Sequence, residues 1–111
     1  MGTELTELQY RELTEALFAR IEAAADRLLQ DDIVDIETQR SGGLLELQFA
    51  DGSKIVVNTQ PPLHEVWLAS RAGGYHYRYD GERWVDTKGG GEFFAVLARE
   101  ASAQAGRALT F

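Results

Sequence analysis

The chain has 111 residues, enough for one domain around one core, and its 44% hydrophobic fraction is that of a folded protein, not a disordered one. It has no cysteine, which excludes a disulfide framework, a thiolate metal site and a cysteine nucleophile. A net charge of −7 argues against a nucleic-acid partner, and that charge is unevenly placed: Met1 to Glu37 holds ten acidic and three basic residues, whereas Thr38 to Phe111 holds eight of each. The first third of the chain is therefore an electrostatic pole.

The acidic, polar start has no basic segment followed by an apolar one, so it reads as neither a signal nor a transit peptide. No apolar run approaches the roughly 20 residues that span a bilayer, and the expectation is a soluble, cytoplasmic protein with no membrane partner.

Thr6 and Gln9 have the spacing of a capping box. After them Tyr10, Leu13, Leu17, Ile21, Ala24 and Leu28 recur every three or four residues, which predicts an amphipathic helix of about 20 residues. Its other face carries Glu12, Glu15, Glu22 and Asp26. Asp31 and Asp32 follow, then a predicted strand over Ile33 to Thr38 with Asp35 and Glu37 turned outward. Ser41-Gly42-Gly43 turns the chain into Leu44 to Phe49, where Leu45, Leu47 and Phe49 face inward.

Asp51-Gly52 lies between two alternating apolar runs, the strongest short-range hairpin signal. Ile55 and Val57 then point inward, and Lys54, Val56 and Asn58 outward. Pro61-Pro62 makes a stiff corner, and a strand starts at Glu65. Val66 and Leu68 form its inward pair, so Glu65 and Trp67 share the wet face. Tyr75 to Tyr79 alternates three inward tyrosines with outward His76 and Arg78. Asp80-Gly81 is a second hairpin turn, and Trp84 points inward from a short last strand. Gly89-Gly90-Gly91 reads as a hinge before a second helix from about Glu92, with Phe93, Leu97, Ala101 and Ala105 on one stripe and Gly106 as its C-cap. Leu109 and Phe111 make the tail apolar enough to dock. Helix, six short antiparallel strands, helix is an α+β pattern. The economical packing is a two-layer α-β sandwich with both helices on one face of the sheet.

The run N-T-Q-P-P-L-H-E-V-W-L-A-S, followed by G-G-Y-H-Y and D-G-E-R-W-V, resembles the bacterial frataxin (CyaY) family from about Leu8 to Phe111. The resemblance implies the frataxin α-β sandwich as a single domain over residues 1–111. It further implies an iron-binding adaptor of iron-sulfur cluster assembly, monomeric without metal, that docks on a cysteine desulfurase near the scaffold protein. In that family an acidic ridge binds iron and meets a basic patch on the desulfurase, and the residues matching Asn58, Gln60 and Trp67 face the assembly machinery.

Read on their own chemistry, Glu22, Asp26, Asp31, Asp32, Asp35 and Glu37 are exposed carboxylates without histidine or cysteine beside them. Such oxygens suit weak binding of hydrated cations such as Fe2+ or Fe3+, or simply form a solvated face. Ala23-Ala24-Ala25 and Arg27-Leu28-Leu29 thin the ridge, so weak iron binding centred on Asp31, Asp32 and Asp35 is expected, with Glu22 and Asp26 assisting both iron and docking. The outer sheet face collects Glu46, Gln48, Lys54, Asn58, Trp67, His76 and Arg78 with Gln60 at its rim. An exposed tryptophan among polar groups there is an interface anchor, or else a ring laid flat over its neighbours. Ser70 has no histidine and acid beside it, and no glycine run carries a phosphate-loop lysine, so the chain reads as a non-enzyme. The competing reading is an iron storage or detoxification protein with ferroxidase-like activity and iron-driven oligomers.

Overall fold

The computed structural model describes residues 5–111. Helix α1 (Glu7–Gln30) is followed by strands β1 (Glu37–Ser41), β2 (Leu44–Gln48) and β3 (Lys54–Gln60). A single 3-10 turn (Pro61–Leu63) leads to β4 (Glu65–Ala69), β5 (Gly74–Tyr79), β6 (Trp84–Asp86) and helix α2 (Phe93–Ala105). The six strands form one antiparallel sheet whose spatial order is the chain order, β1 to β6. Both helices lie on the same face. Phe18 and Ile21 of α1 and Phe93 and Leu97 of α2 share one core with Leu45, Leu47, Ile55, Val57, Val66, Leu68 and Tyr77 of the sheet. The expected two-layer sandwich is present. Among the described residues no helix is long and apolar enough to cross a membrane.

Local signals set most boundaries. The Thr6 hydroxyl accepts the Gln9 N–H while the Gln9 side chain accepts the Thr6 N–H, completing the capping box. Glu92 caps α2 through the Phe94 N–H, and Gly106 closes it in the left-handed conformation at φ 74°. Asp51 accepts from both the N–H and hydroxyl of Ser53, and Asp80 accepts the N–H groups of Glu82 and Arg83, so both Asp-Gly turns are tied by their own carboxylates. The triglycine expected as a hinge is a bonded turn. Asp86 Oδ1 accepts the Lys88 N–H, and the Asp86 N–H donates to the Gly91 carbonyl.

The strand predicted over Ile33 to Thr38 begins only at Glu37. The reason lies in how α1 ends. The Ile33 N–H donates back to the Leu28 carbonyl and the Asp32 N–H to the Leu29 carbonyl, with Asp32 at φ 56°, a Schellman closure with aspartate where glycine usually sits. The Ile33 carbonyl in turn accepts from Arg107. With its hydrogen-bonding groups spent on the helix end and the C-terminal segment, residues 33–36 run as a loop. Strand pairing starts where Glu37 meets Gln48. Ile36 is buried and Asp35 exposed, so the predicted facing holds without the strand.

The C-terminal segment docks, as its apolar residues predict. Leu109 is buried, its N–H donating to the Ser102 hydroxyl, and Phe111 packs against the core. Arg20 and Arg27 of α1 reach across to the main-chain oxygens of Phe111 and Thr110.

Candidate functional site

The outer face of the sheet is built by alternation. Pairing places Leu44 opposite Asn58, Asn58 opposite Trp67 and Trp67 opposite His76, so these four side chains form one line across β2 to β5. Glu46 and Lys54 form an ion pair at 3.3 Å beside that line. Gln60, at the rim, is half-buried opposite Glu65.

Two expectations on this face need correction. Trp67 is on the predicted side but is only partly exposed. Its indole lies flat on the His76 imidazole, with ring centroids 4.0 Å apart and planes 7° from parallel. Glu65, expected in water, is only 7% exposed. Its Oε1 accepts the Trp67 indole N–H at 2.8 Å and its Oε2 accepts the Arg78 Nε–H at 3.0 Å, while His76 Nδ1 lies 3.9 Å from Oε1. Cross-strand neighbours of an outward residue cover it when they are long or aromatic. Arg78 does so here from β5, and Trp67, two residues along the same strand, closes the other side.

The base of the β3–β4 hairpin is closed from the helix layer. The buried Tyr10 hydroxyl donates to the Glu65 carbonyl at 2.5 Å and accepts the Gln60 N–H at 3.0 Å. Burial pushes this phenol above its ordinary value, against the pull of the Gln60 N–H. Below it, His64 sits in the left-handed region at φ 52° where the proline turn ends. A cleft of about 460 Å³ opens on this side, lined by Tyr10, Arg11, Thr14, Phe18, Arg40 and His64 among others.

The acidic candidates occupy the other end of α1. Asp26, Asp31, Asp32, Asp35 and Glu37 are exposed and Glu22 is half-exposed. Glu22 and Asp26 are on the helix, Asp31 and Asp32 form its C-terminal closure, Asp35 is in the loop, and Glu37 opens β1 at the edge of the sheet. None of the six makes an ion pair among the described residues. The nearby Arg20, Arg27 and Arg107 all donate to main-chain oxygens instead. Arg27, which by sequence interrupts the ridge, is thus turned to the C-terminal segment. Among the described residues no three histidine or carboxylate side chains converge on a point fit for a metal ion. The carboxylates fit a hard cation as a diffuse charged surface, not as a cage.

Sequence reasoning missed three groups. Tyr10 was read only as a member of the helix stripe, and nothing in its spacing reveals the hydroxyl contacts. Glu65 was assigned to water by parity alone. Its i, i+2 spacing from Trp67 was the available signal, whereas its pairing with Arg78 emerges only from the strand register. Glu100 and Gln104 are buried polar residues on the inner side of α2. Glu100 accepts from Ser70 and Arg99, and Gln104 ties the Arg71 N–H to Ser53 and the Lys54 carbonyl. A helix stripe pattern counts apolar residues and passes over these.

Two helices on one face of a six-stranded antiparallel meander, with a stacked Trp67–His76 pair on the open face and an acidic helix end, define a frataxin-type sandwich. The profile of the frataxin-like domain matches residues 3–107, and the chain belongs to that family. It is 52% identical over 107 residues to the iron-sulfur cluster assembly protein CyaY of Variovorax paradoxus, covering 96% of this chain and 97% of that protein. It is 50% identical to the protein of the same name from Verminephrobacter eiseniae, covering 96% and 98%. Among solved structures, frataxin from Psychromonas ingrahamii superposes with a TM-score of 0.86 at 29% identity over 96% of this chain and 97% of that one. Yeast frataxin shares the fold, with a TM-score of 0.74 at 21% identity over 91% and 84%.

Proposed function

We propose that this protein is a non-enzymatic adaptor of iron-sulfur cluster assembly. It binds iron weakly as cargo at its acidic helix end, docks there on a cysteine desulfurase, and turns its outer sheet face toward the scaffold protein. The observation that supports this most directly is the set of six carboxylates, Glu22, Asp26, Asp31, Asp32, Asp35 and Glu37, which make no ion pair among the described residues while three adjacent arginines serve main-chain oxygens. A field not neutralised locally attracts both a hydrated cation and a basic protein surface. The names of the half-identical relatives support the same reading.

Iron is held here by charge density and not by a preformed cage, so its affinity falls with every carboxylate removed. Docking depends on longer-range attraction and weakens with salt, because exposed charges beyond about 8–10 Å are screened at 0.1–0.15 M. The test is an iron titration and a desulfurase pull-down on Asp31→Lys/Asp32→Lys/Asp35→Lys beside the parent protein. Both signals should vanish in the triple reversal. Glu82→Lys, at the opposite turn, should keep both. Asp80 is unsuitable for that comparison because its carboxylate holds the β5–β6 turn. Tight iron binding that survives the triple reversal, or docking indifferent to salt, would refute the proposal. Size-exclusion chromatography with ferrous iron in air completes the test, since iron-driven growth into large assemblies would favour storage instead.

A further inference from the structure

We propose that Glu65 is the positioning residue of the outer face: its carboxylate fixes the angle at which the Trp67 indole is presented. The inference builds on the reading that this face meets an assembly partner, and its test runs on the protein alone.

Strand alternation sends Glu65 outward, where a carboxylate is normally hydrated. Instead it is 7% exposed with both oxygens engaged, one by the Trp67 indole N–H at 2.8 Å and one by the Arg78 Nε–H at 3.0 Å. His76 covers one face of the same indole at 4.0 Å. The ring is therefore held along its N–H edge by Glu65 and across its face by His76, which leaves its side-chain torsions no free rotation. Glu65 is itself fixed from below, because its carbonyl accepts the Tyr10 hydroxyl at 2.5 Å from helix α1. A chain of short contacts thus runs from the helix layer through the sheet to the edge of an aromatic ring on the open side.

Glu65 is buried but the Arg78 side chain that pairs with it is 63% exposed, and an ion pair open to water on one side adds little to stability. What the carboxylate adds is direction. A pre-oriented aromatic gives up little conformational freedom when it is covered, which favours tight contact without a larger surface. His76 and Arg78 alone would leave the indole edge unpinned.

The test uses a Trp84→Phe background, in which Trp67 is the only indole. Indole N–H hydrogen exchange and time-resolved fluorescence anisotropy then report this ring alone, and circular dichroism reports the fold. Glu65→Ala should speed indole exchange by about tenfold or more, the scale of losing a hydrogen bond to a charged acceptor. It should also add a fast depolarising component. Glu65→Gln should recover most of the protection, because its amide oxygen can accept the same bond. Unchanged exchange in Glu65→Ala, or Glu65→Gln no better than Glu65→Ala, overturns the proposal. If Glu65→Ala fails to fold, an indole N–H that already exchanges at the free rate in the Trp84→Phe parent overturns it equally. Retained partner binding in a Glu65→Ala protein whose indole protection is lost would count against the docking reading and leave this one standing.

Discussion

The rings of Tyr10 and His64 lie stacked, 4.9 Å apart and 18° from parallel, which joins helix α1 to the left-handed residue closing the proline corner. The Tyr10 hydroxyl then bridges the Gln60 N–H and the Glu65 carbonyl, so one side chain sets the spacing of β3 and β4 at their base. Tyr10→Phe keeps the stacked ring and removes only the bridge. Two buried or half-buried main-chain groups lose their partner, and the expected cost is about 1–3 kcal/mol in urea unfolding. A midpoint equal to that of the parent would mean that the bridge contributes nothing.

Tyr77 behaves in the opposite way. It is fully buried, and its hydroxyl has no hydrogen-bond partner among the described residues. Removing an unsatisfied hydroxyl relieves a desolvation cost, so Tyr77→Phe should raise stability by about 1 kcal/mol at neutral pH. Burial also pushes both Tyr77 and Tyr10 above the ordinary tyrosine value of 10.0. Their folded values exceed their unfolded ones, so the neutral phenols support the fold fully below about pH 10. That support is lost as pH rises from there through the folded values. Melting temperature should fall above about pH 10 in the parent and fall less steeply in Tyr77→Phe.

The two tryptophans should differ in access to quencher, though less than sequence parity implies. Trp84 is buried, whereas Trp67 is half covered by His76 and Glu65. Acrylamide should quench Trp84→Phe, which reports Trp67, more than Trp67→Phe, which reports Trp84. Equal quenching constants would place both rings in similar surroundings and contradict the described facing.

Asp32 combines a charge with a strained backbone. At φ 56° it occupies the closing position of the α1 Schellman motif, where an L side chain is disfavoured. Glycine escapes that penalty, so Asp32→Gly should stabilise the protein, by at most about 1–2 kcal/mol, while removing one charge from the acidic end. Thermal melting and iron titration on the same variant should therefore move in opposite directions. A destabilised Asp32→Gly would show that the side chain makes a compensating contact.

Deleting Arg107 to Phe111 uncovers the site of Leu109, removes the bond its N–H donates to the Ser102 hydroxyl, and breaks those donated by Arg20, Arg27 and Arg107. Loss of one buried leucine alone costs about 2–5 kcal/mol. The truncated chain should unfold at a clearly lower urea concentration, and an unchanged midpoint would mean that the segment does not hold the fold.

What was legible in the sequence follows from periodicity and turn chemistry. Alternation in Leu44 to Gln48, Lys54 to Asn58 and Tyr75 to Tyr79 correctly separates core from outer face. Thr6, the two Asp-Gly pairs and Gly106 mark their boundaries, because their signals act within a few residues. The start of β1 was misplaced because Ile33 and Val34 have strand character but serve a helix closure built by Leu28 and Leu29. Pattern cannot decide which partner a backbone N–H takes. Glu65 was misjudged for a similar reason: its burial comes from Trp67 and Arg78, known only once register is fixed. The acidic residues were legible as a charged set. That their neighbouring arginines turn away to main-chain oxygens is a property of the folded C-terminal segment alone.

Because strand order equals chain order, each hairpin of the sheet can close as soon as its second strand exists, across a loop of a few residues. The ties that span the sequence are those between α1 and the C-terminal segment, Arg20 to Phe111 and Arg27 to Thr110. During synthesis on a ribosome the meander can thus assemble while α2 and those last residues are still unmade. Through that interval part of the inner sheet face and the α1 stripe stay uncovered. It is then, more than in the finished molecule, that the chain presents its apolar layer to chaperones and proteases.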